Sequence, residues 1–240
     1  MASSQSDSSD NQNGSVDLTN CDREPIHQLG RVQSFGALIS VSPDWIVNHA
    51  SGNVADFIGM TSEDLLGRPL TECFTIAAVH QIRTRLQLLY SEDAVERQLG
   101  MKLLDSDDMF DVGVHRSGRS IVIEIERHGQ ATHEDYFSYV RQMIERLEKS
   151  VSVEELCEAA ARYVSALTGF DRVMVYKFDA DDSGTVIAET LRPGMESFKG
   201  LHYPASDIPR QARALYTRNL LRCIADVSDP GHAIHPPTNP

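Results

Sequence analysis

The chain has 240 residues, 41% hydrophobic and 24% charged, the balance of a folded globular protein long enough for one or two domains. Its 22 Lys and Arg against 35 Asp and Glu give a formal net charge of −13, which argues against nucleic acid or an anionic membrane as the main partner. No apolar run reaches membrane-spanning length, and the first residues lack the basic and apolar regions of a signal peptide. Cys21, Cys73, Cys157 and Cys223 form no Cys-x-x-Cys, so neither a disulfide framework nor a zinc ribbon is expected, and a reducing cytoplasm is the simplest setting.

Residues 1–15 are Ser, Asp, Asn and Gln-rich and predict a disordered leader. Residues 16–34 follow, with Cys21 in the polar string CDREPIH. By itself Cys21 reads either as a small apolar residue or as a functional thiol, with Arg23 beside it offset by Asp22 and Glu24.

Residues 35–130 predict a small α+β domain. Residues 36–41 read as a strand, 42–44 as a turn, and Trp45 begins the return. Gly59 and Gly67 stand where helices end, and Thr61 with Asp64 is an acidic variant of the capping box. A helix is expected over 76–90, with Val79, Ile82, Leu86 and Leu89 on one face. Strands over 109–115 and 120–128 join through Arg116-Ser117-Gly118-Arg119. In the second, Ile121, Ile123 and Ile125 are expected inside and Val122, Glu124 and Glu126 outside.

Residues 131–240 predict a second domain. Phe137, Val140, Ile144, Leu147 and Val151 form a narrow apolar seam, which packs either within the subunit or against a second copy. Ser152 with Glu155 opens the next helix, Gly169 closes it, and Leu156, Ala159, Ala160, Tyr163, Val164 and Leu167 are its expected buried face. Residues 172–178 and 185–191 read as a hairpin. Met174 and Tyr176 share a face that reads as core or as the lining of a flat apolar pocket. Residues 202–216 read as a loop turning into a helix, with Ser206 or Asp207 as N-cap and Pro209 in the first turn. A carboxylate flanked by tyrosines there is either an ordinary cap or a polar site. His232 and His235 read as loop histidines rather than metal ligands.

Two strings carry a resemblance: CDREPIH, and the run from DRVMVYKF through HYPASDIPRQARALYTRNLLR. Their order and spacing resemble bacterial phytochromes, with a PAS-like domain followed by the first part of a GAF-like domain, an α+β fold of antiparallel sheets with flanking helices. The resemblance implies a red/far-red photoreceptor that holds biliverdin, a linear tetrapyrrole, covalently through Cys21 and signals by bilin isomerisation. It implies that Asp207 offers its backbone carbonyl to the pyrrole N–H groups, with its carboxylate beside the rotating ring. Tyr176, Tyr203 and Tyr216 would surround that ring, Met174 would line the pocket, Ile208 and Pro209 would pack on the tetrapyrrole face, and Arg222 would hold a propionate. It further implies a homodimer and a downstream kinase or response regulator in the longer protein, with no enzyme in this chain. The sequence departs from the family at Gln28-Leu29, where relatives usually have Ile-Pro, and at Ser34-Phe35, where they often have Pro-His. It stops at Pro240, before the rest of a GAF domain, so the PAS part is expected to fold reliably and the region beyond residue 152 to pack loosely and bind biliverdin weakly. A second reading is a PAS–GAF regulator that binds a non-covalent small molecule such as a cyclic nucleotide. No nucleophile-elbow, zincin or phosphate-loop motif supports an enzyme.

Overall fold

The computed structural model describes residues 30–91, 93–129 and 133–237. In chain order the elements are β1 (Arg31–Val32), β2 (Gly36–Val41), β3 (Val47–Ser51), α1 (Ala55–Ile58), α2 (Ser62–Leu65), α3 (Leu70–Cys73), α4 (Ile76–Leu88), β4 (Val95–Met101), β5 (Phe110–Ser117) and β6 (Ser120–Arg127). They continue as α5 (His133–Leu147), α6 (Val153–Thr168), β7 (Arg172–Phe178), β8 (Gly184–Leu191), β9 (His202–Tyr203), α7 (Arg210–Tyr216) and β10 (His232–His235). The expected leader and the Cys21 segment up to residue 29 lie outside the described residues. The described residues pack as two units, one of residues 30–133 with those from Leu215 onward, the other from Glu134 to Ala214.

The first unit is a seven-stranded antiparallel sheet in the order β1-β10-β3-β2-β6-β5-β4. In β2 every second residue, Ala37, Ile39 and Val41, is buried, and these pair with Ile125, Ile123 and Ile121 of β6. Phe110, Val112 and Val114 of β5 extend the same face, which α2, α3 and α4 cover with Leu65, Leu70, Val79 and Ile82. Each such aliphatic side chain contributes about 1.5–3 kcal/mol on burial. The β5–β6 hairpin closes with Ser117 opposite Ser120, and Gly118 takes φ 56° in the turn, a conformation that favours glycine. Thr61 and Thr75 cap α2 and α4 through their hydroxyls.

Several expectations change here. The α4 helix stops at Leu88, and Tyr90 beyond it is exposed. Val122, expected on the wet face, is buried, because β6 is an interior strand with Ser40 and His115 directly across from it on either side. Strand β4 was not expected. Its inward residues Glu96 and Gln98 are polar and meet Arg85 of α4, while Val95 and Leu99 face out, so its hydrophobic pattern is inverted.

The final segment was assigned from sequence to the second domain, but β10 inserts between β1 and β3 of the first unit. Arg31 Nε donates to the Pro230 carbonyl (2.7 Å), and the Asp229 carboxylate accepts from the Ser34 amide (2.6 Å) and hydroxyl (2.8 Å). His232 and His235 therefore stand in a strand rather than a loop.

In the second unit, α6 packs on β7 and β8 of a three-stranded antiparallel sheet ordered β7-β8-β9. The Ser152 hydroxyl accepts from the Glu155 amide (3.1 Å), Glu155 accepts in turn from the Val151 amide (3.0 Å), and Gly169 ends the helix at φ 71°. The buried positions are Ala159 and Ala161, whereas Leu156 and Val164, expected inside, are 40% and 37% exposed. Small residues are the ones buried where α6 packs on the sheet, and these longer apolar side chains are left partly exposed. The α5 seam ends at Leu147, so Val151 is not part of it, and Phe137 and Ile144 on it are exposed.

Candidate functional site

The β7–β8 hairpin sets the first two side chains. Met174, Tyr176 and Phe178 lie on one face of β7. A register shift after Val175 leaves Tyr176 opposite Val186 and Phe178 opposite Gly184. Gly184 is also opposite Tyr203 of β9, so a residue with no side chain stands between Phe178 and Tyr203. The Tyr176 ring fills that gap. It meets Phe178 edge-on at 5.1 Å between centroids and lies 6.1 Å from Tyr203.

The chain then enters a single 3₁₀ turn, Ala205–Asp207, capped by Pro204, whose carbonyl accepts from the Asp207 amide (3.1 Å). The Ser206 hydroxyl is 3.4 Å from the Asp207 carboxylate. The α-helix begins only at Arg210, and the Pro209 carbonyl accepts from the Arg213 amide (3.1 Å). Burial raises the Tyr176 phenol above its ordinary pKa, and the Asp207 carboxylate raises it further, so these two groups share one electrostatic environment.

Arg213 was not anticipated. Its Nη1 donates to the carbonyls of Ala205 (3.0 Å) and Ile208 (2.6 Å), and its Nη2 lies 3.3 Å from the carboxylate of Asp182 in the β7–β8 loop. Its role depends on where the carbonyls of the Asp207 turn fall, which no local sequence pattern announces.

The structure thus gathers Tyr176, Tyr203 and Asp207 with Phe178, Gly184 and Arg213. Met174 is 43% exposed on the same face of β7. Ile208 and Pro209, both partly buried, lead from the turn into α7. Tyr216 ends α7, and Arg222 follows in an exposed stretch without regular structure. Cys21 lies outside the described residues. Among the described residues no group of His, Cys, Asp and Glu is arranged to hold a metal ion, and no helix is long and apolar enough to cross a membrane.

A second buried polar cluster holds the loop between β8 and β9. The Glu189 carboxylate accepts from Ser197 Oγ (2.7 Å) and from the amides of Phe198 (2.9 Å) and Lys199 (3.3 Å). Arg172 Nε stands 3.3 Å from it as an ion pair without hydrogen-bond geometry, and its guanidinium stacks 3.7 Å from the Phe198 ring centre. Burial acts to raise the Glu189 carboxyl, but the three donors and the Arg172 charge outweigh it and hold the group below its ordinary range.

Comparison with known proteins agrees with this architecture. The PAS-fold family profile matches residues 21–128. The chain is 35% identical over 232 residues to cyanobacterial phytochrome B of Nostoc sp., covering 94% of this chain and 30% of the relative. It is 34% identical over 232 residues to a bacteriophytochrome of Xanthomonas campestris, covering 94% and 36%. The chromophore-binding domain of a Stigmatella aurantiaca phytochrome superposes with TM-score 0.76 at 37% identity, covering 90% of this chain and 72% of that one. The fold and these matches define a PAS-containing photosensory module with mixed helices and antiparallel sheets. The chain belongs to the bacterial phytochrome family of photoreceptors. It spans roughly a third of the length of these curated relatives.

Proposed function

We propose that this chain is the bilin-binding part of a red/far-red photoreceptor, with biliverdin attached through the Cys21 thiol. The observation that carries the reading is the convergence of Tyr176, Tyr203 and Asp207, drawn from two strands and a turn of one unit, in a chain of this family. The residues fit such a group. Aromatic rings give a flat apolar wall, and a carboxylate beside them compensates a protonated tetrapyrrole, whose burial without a counter-charge is costly. Asp207 would offer its carbonyl to the pyrrole N–H groups. Met174, Ile208 and Pro209 would contact the ring system. The bilin supplies the photochemistry when bound. The chain's own residues exclude water, hold the rings and exchange hydrogen bonds at Asp207 and the tyrosines, biasing a two-state protein.

In the longer protein we propose a cytoplasmic homodimer that passes its signal to a kinase or response regulator, with no enzyme active in this chain. The exposed seam of α5 suits a helix partner.

The test is a pair of substitutions in a protein that carries this chain. Asp207→Ala and Asp207→Asn should both keep the covalent pigment and both lose most of the light-induced absorbance change. Normal photoconversion in both would refute the role given to Asp207. Loss of stability in Ala with full rescue in Asn would reduce it to a helix cap.

A further inference from the structure

Resting on the bilin-binding reading, we propose that Arg213 is a positioning residue, which locks the turn bearing Asp207 onto the β7–β8 loop through a paired Asp182. Its guanidinium takes the carbonyls of Ala205 and Ile208, one on each side of Asp207, at 3.0 and 2.6 Å. Its other nitrogen reaches the Asp182 carboxylate at 3.3 Å. The Arg213 side chain is 15% exposed, so its bonds to the two carbonyls are made largely out of water, where a charge-assisted bond is worth more than on a surface, while the Asp182 carboxylate reaches it from the solvent side at 59% exposure.

Asp182 is shaped for the pairing. It sits at φ 67°, a left-handed conformation that Asp tolerates better than most residues, fixed by the hydrogen bond its N–H donates to the Asp179 carbonyl (3.0 Å) and by the one the Asp179 N–H donates to the Ser183 carbonyl (2.8 Å). That same loop leads into Gly184, over which the Tyr176 ring lies. One guanidinium therefore ties the segment under Tyr176 to the segment bearing Asp207. Lysine, a point charge, cannot span two carbonyls and a carboxylate in this fork.

Bilin-free and biliverdin-loaded full chains should be compared as wild type, Arg213→Lys, Arg213→Met and Asp182→Asn. Without pigment, exchange of the Asp207 amide should speed about tenfold in both Arg213 variants and about threefold in Asp182→Asn, with β7 and β8 unchanged. With pigment, the Arg213 variants should keep the Cys21 adduct but show a displaced red absorption band, and lysine should not restore it. Asp182→Asn keeps the loop conformation and decides the matter if Arg213→Met fails to fold. Unchanged Asp207 exchange in Arg213→Lys and Asp182→Asn overturns the proposal, as does faster exchange spread through β7 and β8. An unshifted pigment band in variants with fast Asp207 exchange overturns it too. If wild type takes up no biliverdin, the bilin-binding reading fails, and the exchange measurements still decide whether Arg213 positions the turn.

Discussion

The ring of Tyr176 occupies the space that a side chain at Gly184 would need. A Cβ at Gly184 would fall well inside van der Waals contact of the Tyr176 Cε1, Cζ and hydroxyl atoms. Gly184 is not at a left-handed turn, so its lack of a side chain serves close approach rather than backbone freedom.

Gly184→Ala must therefore push the Tyr176 ring off β8 and away from Tyr203. The substitution should destabilise the second unit by about 1–3 kcal/mol, as overpacking does. In a Tyr176→Ala background the same change should cost much less, so a double-mutant cycle read by urea unfolding should show strong coupling. Additive costs would mean that the ring has another place to go.

The Glu189 cluster should fail in acid. Its folded carboxyl lies below the ordinary value of roughly 4.3, so the stability it contributes is complete above that value and is lost as pH falls through the folded one. Exchange at the Phe198 and Lys199 amides should speed up over that window. Glu189→Ala should produce the same loss at neutral pH, accelerating those amides by about tenfold or more. Amides that stay protected in Glu189→Ala would show that the loop is held by other contacts.

Ser34 uses groups that a proline at this position would lack. Its amide and hydroxyl both donate to Asp229, which also accepts from the Gly231 amide (2.8 Å). These bonds, the Ser34 amide first, hold the Asp229 carboxyl below its ordinary range, so its contribution too is present above that range and lost as pH falls through the folded value. Ser34→Pro and Asp229→Ala should each expose residues 31–34 to proteolysis after Arg31, leaving the β2–β6 core protected. Equal resistance in wild type and both variants would mean that β1 is held by its pairing with β10 alone.

What was legible in the sequence follows from the range of the forces involved. The Thr61 and Ser152 caps and the Gly169 stop are set by neighbours within a few residues and stand as read, and so does the existence of the β5–β6 hairpin, though its ladder runs on through Arg116 and Ser117 to a two-residue turn and buries Val122. Strand β4 was missed because an edge strand that meets Arg85 with Glu96 and Gln98 reverses the usual hydrophobic alternation. Strand β10 has four residues and no pattern of its own; its partners Arg31 and Ser51 are remote in the chain. On α6, periodicity marked the apolar positions but not how many of them a three-stranded sheet covers, hence the exposed Leu156 and Val164. At the site, the aromatic and acidic residues could be picked out by type. Arg213 and Gly184 could not, because their roles depend on turn carbonyls and on a cross-strand register.

The most direct test of the central claim is peptide mass spectrometry after incubating the full chain with biliverdin and denaturing it. A peptide containing Cys21 should carry the mass of the pigment, and Cys21→Ala should yield no covalent adduct. An unmodified Cys21, or pigment found instead on Cys157 or Cys223, would contradict the assignment.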